Sequence, residues 1–185
     1  MNQRMDGLMS NETENGKERF HELLKSFRAV SLVTRNYASS TGSGPDDGPE
    51  FSSRPMQVAR LDDNCDLWFL TDADTAKVYE IRNDSNVLVV GQSGDDKFIS
   101  LSGTARVQQD KATIRELFSE PYKVWFPDGP ETPGIRAIHV SAIEGDFWDS
   151  TGANKVKYML QAAKAYATGT RPKTEPGEQS GHVKL

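Results

Sequence analysis

The chain has 185 residues, 36% of them hydrophobic, a formal net charge of −5 and a pI near 5.3. That length suits one ordinary domain with some tail, and the acidic balance argues against a nucleic-acid partner, whose affinity comes from a basic face that neutralises phosphates. No apolar run approaches the roughly 20 residues needed to span a bilayer. The start, Met1 to Lys17, is polar and has no signal-peptide core, and the single Cys65 has no mate for an internal disulfide, so a cytoplasmic protein without a membrane partner is expected.

Residues 1–16 have no periodicity and read as a disordered leader. From Lys17 the pattern turns helical, with Phe20, Leu23, Leu24 and Phe27 on one stripe. Val30 to Arg35 is rich in β-branched residues and reads as a first strand. Residues 37–50, dense in Ser, Gly, Pro and Asp, form a long loop. Phe51 to Leu61 is a second strand, with Pro55 marking an edge, an end or a bulge because it has no N–H for the ladder. Asp62 to Asp66 turns into a third strand, Leu67 to Thr71. A helix through Arg82 follows, with Asp72, Asp74 and Thr75 as candidate N-caps. Val87 to Gln92 and Phe98 to Val107 are further strands, the latter with a bulge at Gly103. Lys111 to Phe118 is a short helix, and residues 121–133 are a Pro-rich connection carrying Tyr122, Trp125 and Phe126. Arg136 to Val140 and Glu144 to Trp148 close the sheet, Asn154 to Thr168 is a last helix, and 169–185 is a polar tail. Strands and helices do not alternate regularly, which excludes a doubly wound fold. The expectation is a mainly β (α+β) domain over 17–168, an antiparallel barrel of about six strands flanked by helices.

Protein-only chemistry finds little support. His21, His139 and His182 are scattered and Cys65 stands alone, so no metal site is expected. Gly91 to Gly94 is one residue too short for a nucleophile elbow, and Gly42, Gly44 and Gly48 lack the Lys-Ser/Thr of a phosphate-binding P-loop. The acidic pairs lie in turns, where Asp is favoured for backbone reasons. An enzyme of this composition would let a cofactor carry the chemistry. Four segments are jointly suited to a flat, anionic one: Ser53 to Met56, Phe69 to Lys77, Ser100 to Gly103, and Phe147 to Ser150. Arg54 offers a planar fork and Lys77 a point charge for phosphate oxygens. Thr71 and Thr75 add hydroxyls, and Trp148 can pack against a ring.

In this order the segments Ser-Arg-Pro-Met, Leu-Trp-Phe-Leu-Thr-Asp-Ala-Asp-Thr-Ala-Lys-Val, Ser-Leu-Ser-Gly-Thr-Ala, Val-Trp-Phe-Pro-Asp-Gly-Pro and Phe-Trp-Asp-Ser, with the terminal Val-Lys-Leu, resemble one family. It is that of the pyridoxamine 5′-phosphate oxidase-like flavin-binding split β-barrels, in particular the general stress protein branch. The resemblance implies a homodimer with FMN in clefts between subunits. It implies Arg54, Thr75 and Lys77 at the phosphate, and Pro55, Met56, Gln57, Leu70 and Thr71 along the ring and ribityl chain. Trp148 corresponds to an aromatic near the flavin, contributed by the partner chain.

The sequence also departs from the true oxidases. Ala76 stands where they keep a second basic residue, and Asp149 to Lys157 lacks the Arg and His that hold their pyridoxal substrate. A second phosphate-bearing substrate therefore has little to bind, and a related flavin could replace FMN. Two functions stay open: an FMN-dependent oxidoreductase of unspecified small-molecule substrate, and a non-enzymatic flavin carrier or redox sensor. An oligonucleotide-binding barrel is the weaker alternative, because it needs a basic groove interleaved with aromatics.

Overall fold

The structure is a computed structural model that describes residues 15–36, 50–94, 97–149, 153–170 and 180–185, with 153–159 and 163 as backbone. The expected leader at 1–14, the long loop at 37–49, the acidic turn at 95–96 and the tail at 171–179 lie outside the described residues.

The chain runs α1 (15–25), β1 (Ala29–Arg35), β2 (Phe51–Gln57), β3 (Arg60–Leu61), β4 (Leu67–Asp72), α2 (Ala76–Asn83), β5 (Asn86–Ser93), β6 (Lys97–Gln108), α3 (Lys111–Leu117), two 3₁₀ turns, β7 (Ile135–Asp149), α4 (Ala153–Thr168) and β8 (Ser180–Lys184). The strands form one sheet in the order β2-β1-β5-β6-β7-β4-β3, with β8 added to β7. Every pairing is antiparallel. The sheet curls into a half-barrel flanked by helices, the split-barrel α+β architecture that the sequence led us to expect.

Three corrections concern how the strands are cut. The sheet has eight strands, not about six. The second expected strand breaks after Gln57 and resumes as the two-residue β3. The two expected closing strands are one continuous strand of 15 residues, β7, and the last part of the presumed tail returns to pair with it as β8. Local composition hides this because β7 changes partners along its length: β4 covers Ile135 to Val140 and β8 covers Glu144 to Trp148, while β6 pairs along the other edge from Ala137 to Asp149. Residues 15 and 16, read from the sequence as part of the leader, are helical.

Other expectations hold. The helical stripe Phe20, Leu23, Leu24 and Phe27 is buried and packs into the main core with Leu32, Phe69, Leu101 and Val140. Pro55 sits on β2, the edge strand, where its missing N–H leaves no partner short of a donor. The register shifts between Ser102 and Gly103, and a Cβ at Gly103 would lie 2.3 Å from the Ser141 carbonyl oxygen, so only glycine fits the bulge.

Strand β4 positions the site. Its first five residues are all buried because each face has its own cover. Leu67 and Phe69 face the main core. Trp68 and Leu70 face a second cluster built by α3 and the turn after it, with Ile114, Leu117, Tyr122 and Phe126. Clamped on both sides, β4 delivers Thr71 and Asp72 to the start of α2 as fixed points.

Candidate functional site

A cavity of about 820 Å³ opens where β2, the end of β4, the start of α2 and the aromatic turn after α3 meet. That volume lies within the roughly 300–1,000 Å³ of small-molecule sites. Seven residues singled out from the sequence line it: Pro55, Met56, Gln57, Leu70, Thr71, Thr75 and Lys77.

The polar end is built by the β4–α2 junction. Asp72 Oδ1 accepts the Asp74 backbone N–H at 2.8 Å, a turn that reverses the chain into α2. Thr75 is the residue before the helix, but its hydroxyl donates back to the Asp72 carbonyl at 2.8 Å and does not cap the helix. Lys77 Nζ donates to Thr71 Oγ1 at 3.0 Å, and Thr71 and Thr75 hydroxyls lie 3.3 Å apart. One ammonium and two hydroxyls thus converge on a few ångströms of cavity wall. Burial holds the Lys77 amine below the usual lysine range, with the nearby Arg54 charge acting in the same direction and Glu80 and Asp72 pushing back. An incoming anion would relieve that cost, which makes Lys77 a receptive counter-charge.

The opposite walls are apolar. Pro121, Tyr122, Trp125 and Phe126 enter from the turn after α3, and Tyr122 Oη donates to the Gln57 carbonyl at 3.2 Å, tying that turn to the end of β2. Burial pushes the Tyr122 hydroxyl up to about 12, so it stays a neutral donor at physiological pH. Trp125 is 62% exposed and forms the rim. The arrangement suits a flat amphiphile: rings against the aromatic and aliphatic walls, an anionic end at Lys77.

Two expected site residues stand outside the lining. Arg54, on β2, is turned toward α2, where Nη1 meets Glu80 Oε2 at 2.8 Å and Thr34 Oγ1 at 2.5 Å. It is close enough for its charge to act on Lys77. Trp148 lies near the end of β7, paired across the sheet with Phe98 of β6. Both rings are partly exposed.

The reading from sequence missed Arg28 as a lining residue, had Asp72 only within the Phe69 to Lys77 segment and as a candidate cap, and did not assign the aromatic turn to a site. The turn had a signal, three aromatics in a Pro-rich connection. Glu80 had none, because a Glu one turn after a Lys reads as helix surface. Among the described residues, no group of three or more His, Cys, Asp or Glu could hold a metal ion. Cys65 is fully buried and its thiol is pushed up to about 11 by that burial, so it is no nucleophile at neutral pH.

Comparison with known proteins follows the same geometry. The family model described as Pyridoxamine 5′-phosphate oxidase like matches residues 15–173. The chain belongs to this family. A general stress FMN/FAD binding protein of Xanthomonas citri superposes with a TM-score of 0.59 at 24% identity, covering 76% of this chain and 93% of that one. General Stress Protein 26 of Bacillus anthracis superposes at 0.58 with 23% identity, covering 71% and 92%. A Clostridium acetobutylicum protein related to general stress protein 26 gives 0.59 at 18%, covering 72% and 87%. These likenesses establish the split-barrel fold. Protein bli-3 of Neurospora crassa is 28% identical over 129 residues; the match spans 63% of this chain and 60% of that protein's length. Among the described residues of this pyridoxamine phosphate oxidase-like protein, no helix is long and apolar enough to cross a membrane.

Proposed function

We propose that this chain is an FMN-binding flavoprotein of the general stress type. The observation that carries the reading is the Lys77–Thr71–Thr75 cluster at one end of a cavity whose other walls are mostly aliphatic and aromatic. A phosphate group finds there one charged donor and two hydroxyls, with the Arg54 guanidinium adjoining as a second cation. Met56 and Leu70 offer the surface on which a planar ring lies, and the 55–57 backbone runs beside it. Bound flavin would supply the electron-transfer chemistry. This chain's own residues grip the phosphate and shield the ring from water, and Tyr122, neutral and bonded to the Gln57 carbonyl, holds the aromatic turn over the cavity.

The working form in this reading is a cytoplasmic homodimer, each cavity completed by the other protomer. Phe98 and Trp148, 41% and 38% exposed, face each other across β6 and β7, and an exposed aromatic pair of this kind supports a covered surface. Trp148 of one protomer then packs near the flavin of its partner. Light scattering of the flavin-loaded protein tests this: a mass of one chain removes the dimer.

An absorption spectrum of the purified protein tests the cofactor. A yellow protein, or one that quenches the fluorescence of added FMN, supports the proposal; a colourless protein that leaves FMN fluorescence unchanged ends it. Pyridoxamine phosphate oxidation is not assigned, because Ala76 and the segment Asp149 to Lys157 carry no arginine or histidine for a second phosphate. One observation favours a carrier or redox sensor without turnover. Among the described residues the cavity lining contains no histidine, and its Asp72, Lys77 and Tyr122 are already engaged with the Asp74 N–H, the Thr71 hydroxyl and the Gln57 carbonyl. Steady-state oxidation of reduced nicotinamide with a panel of acceptors decides between the two: rates no higher than free FMN leave the carrier, faster turnover the oxidoreductase.

A further inference from the structure

Glu80 is a buried charge that the site described above does not use. It lies on α2 one turn beyond Lys77 and is 4% exposed. A carboxylate so placed survives only when it is paired and hydrogen-bonded, and Glu80 is. Its Oε2 accepts from Thr34 Oγ1 at 2.5 Å and from Arg54 Nη1 at 2.8 Å, and the same Nη1 donates to Thr34 Oγ1 at 2.5 Å. Burial works against its ionisation, but the bonds from Arg54, Thr34 and Ser52 outweigh that and hold it below the usual carboxylate range. Thr34 is itself 1% exposed. The three side chains therefore make a bonded triangle against α2, buried at Glu80 and Thr34 and one-fifth exposed at Arg54.

This triangle borders the anion end of the cavity: Glu80 lies three residues beyond Lys77 on α2, and the Arg54 charge acts on the Lys77 amine from just outside the lining. Both bonds that Arg54 makes among the described residues run through Nη1, so the fork formed by Nε and Nη2 is the edge that remains for a ligand. Two cations side by side repel, more strongly where water is scarce. The charged groups facing Lys77 are Arg54 from β2, Asp72 from the end of β4 and Glu80 from its own helix. Of these, Glu80 alone touches Arg54 and also favours the Lys77 ammonium.

We propose that Glu80 is a positioning residue of the anion site: it fixes the Arg54 guanidinium by Nη1 so that the free edge and Lys77 share one phosphate, and its carboxylate offsets the repulsion between the two cations. The proposal rests on the flavin reading for the identity of the ligand. The opposite role is a competitor, a carboxylate that occupies Arg54 at the expense of the phosphate. The two differ in sign.

Calorimetric titration of the full chain with FMN and with riboflavin, which lacks the phosphate, measures the phosphate preference directly. In Glu80→Ala the FMN-over-riboflavin preference falls about tenfold or more, as for loss of a bond to a charged group, with riboflavin affinity unchanged. In an Arg54→Ala background the same change costs nothing further. In Glu80→Gln the amide still accepts from Nη1, and the alkaline midpoint at which the preference disappears moves to lower pH. A preference that is unchanged or raised in Glu80→Ala overturns the proposal. Should Glu80→Ala fail to fold, seen as joint loss of riboflavin binding and circular dichroism, the pH profile of Glu80→Gln decides, and an unmoved midpoint overturns it. Wild-type protein that binds neither flavin removes the flavin reading alone. Acetylation of Lys77 by acetic anhydride, read by mass spectrometry against pH and inorganic phosphate, then tests Glu80: the proposal expects a lower midpoint and weaker protection by phosphate in Glu80→Gln, and equal values overturn it.

Discussion

The β4–α2 junction and the outer face of β6 and β7 carry the two ends of the proposed site, and they are built in opposite ways. At the junction Lys77, Thr71 and Thr75 are assembled within one chain and within seven residues, on a strand clamped between two cores. On the outer face Trp148 is no part of its own chain's cavity lining and pairs with Phe98 of β6 and Ser180 of the returning strand β8. The first is a preorganised anion end, desolvated before any ligand arrives. The second is, in the dimer proposed above, the part that another protomer would complete. The difference teaches that a grip built from neighbouring residues needs only its own chain, whereas the role proposed for Trp148 needs a second one.

Charge reversal at the junction should break this comparison most completely. Lys77→Glu is expected to weaken FMN by more than the roughly 1.5–3 kcal/mol of a lost charged hydrogen bond, because it also sets a carboxylate against a dianion. Titration with FMN checks it, and riboflavin affinity should change far less. Arg54→Ala should cost roughly 1.5–3 kcal/mol of FMN affinity; an unchanged value would remove Arg54 from the anion end and leave it to its pairing with Glu80.

Trp148→Ala tests the other half. A lost ring contact is worth about 0.5–1.5 kcal/mol beyond area, so flavin affinity should fall by about that much, and the loss should grow on dilution as the dimer dissociates. A concentration-independent loss would make Trp148 part of its own chain's site. The smallest effect is that of pH. Since burial lowers the Lys77 pKa, the ammonium is lost at a lower pH than for an exposed lysine. FMN affinity should therefore be full at neutral pH and decline on the alkaline side before the usual lysine range, near 10.4, while riboflavin affinity stays level. Parallel curves for the two ligands would take Lys77 out of phosphate binding.

Much of this molecule was legible residue by residue. The apolar stripe of α1, the fully apolar run of β4, the bulge at Gly103 and the edge proline of β2 each follow from rules that act over a few positions, periodicity, turn chemistry and a missing N–H. The short segment around Thr71, Thr75 and Lys77 was legible for the same reason, since a strand feeding a helix start brings residues four and six apart together. Tertiary structure alone decided the rest. Composition could not show that β7 runs unbroken through a change of partner from β4 to β8, or that the last residues return as β8, because pairing between distant strands leaves no local trace. Nor could it show that Glu80 is buried against Arg54 and Thr34, 26 and 46 residues away. Charge placed on a helix looks the same in sequence whether it meets water or an arginine; only the packing of α2 over β1 and β2 settles which.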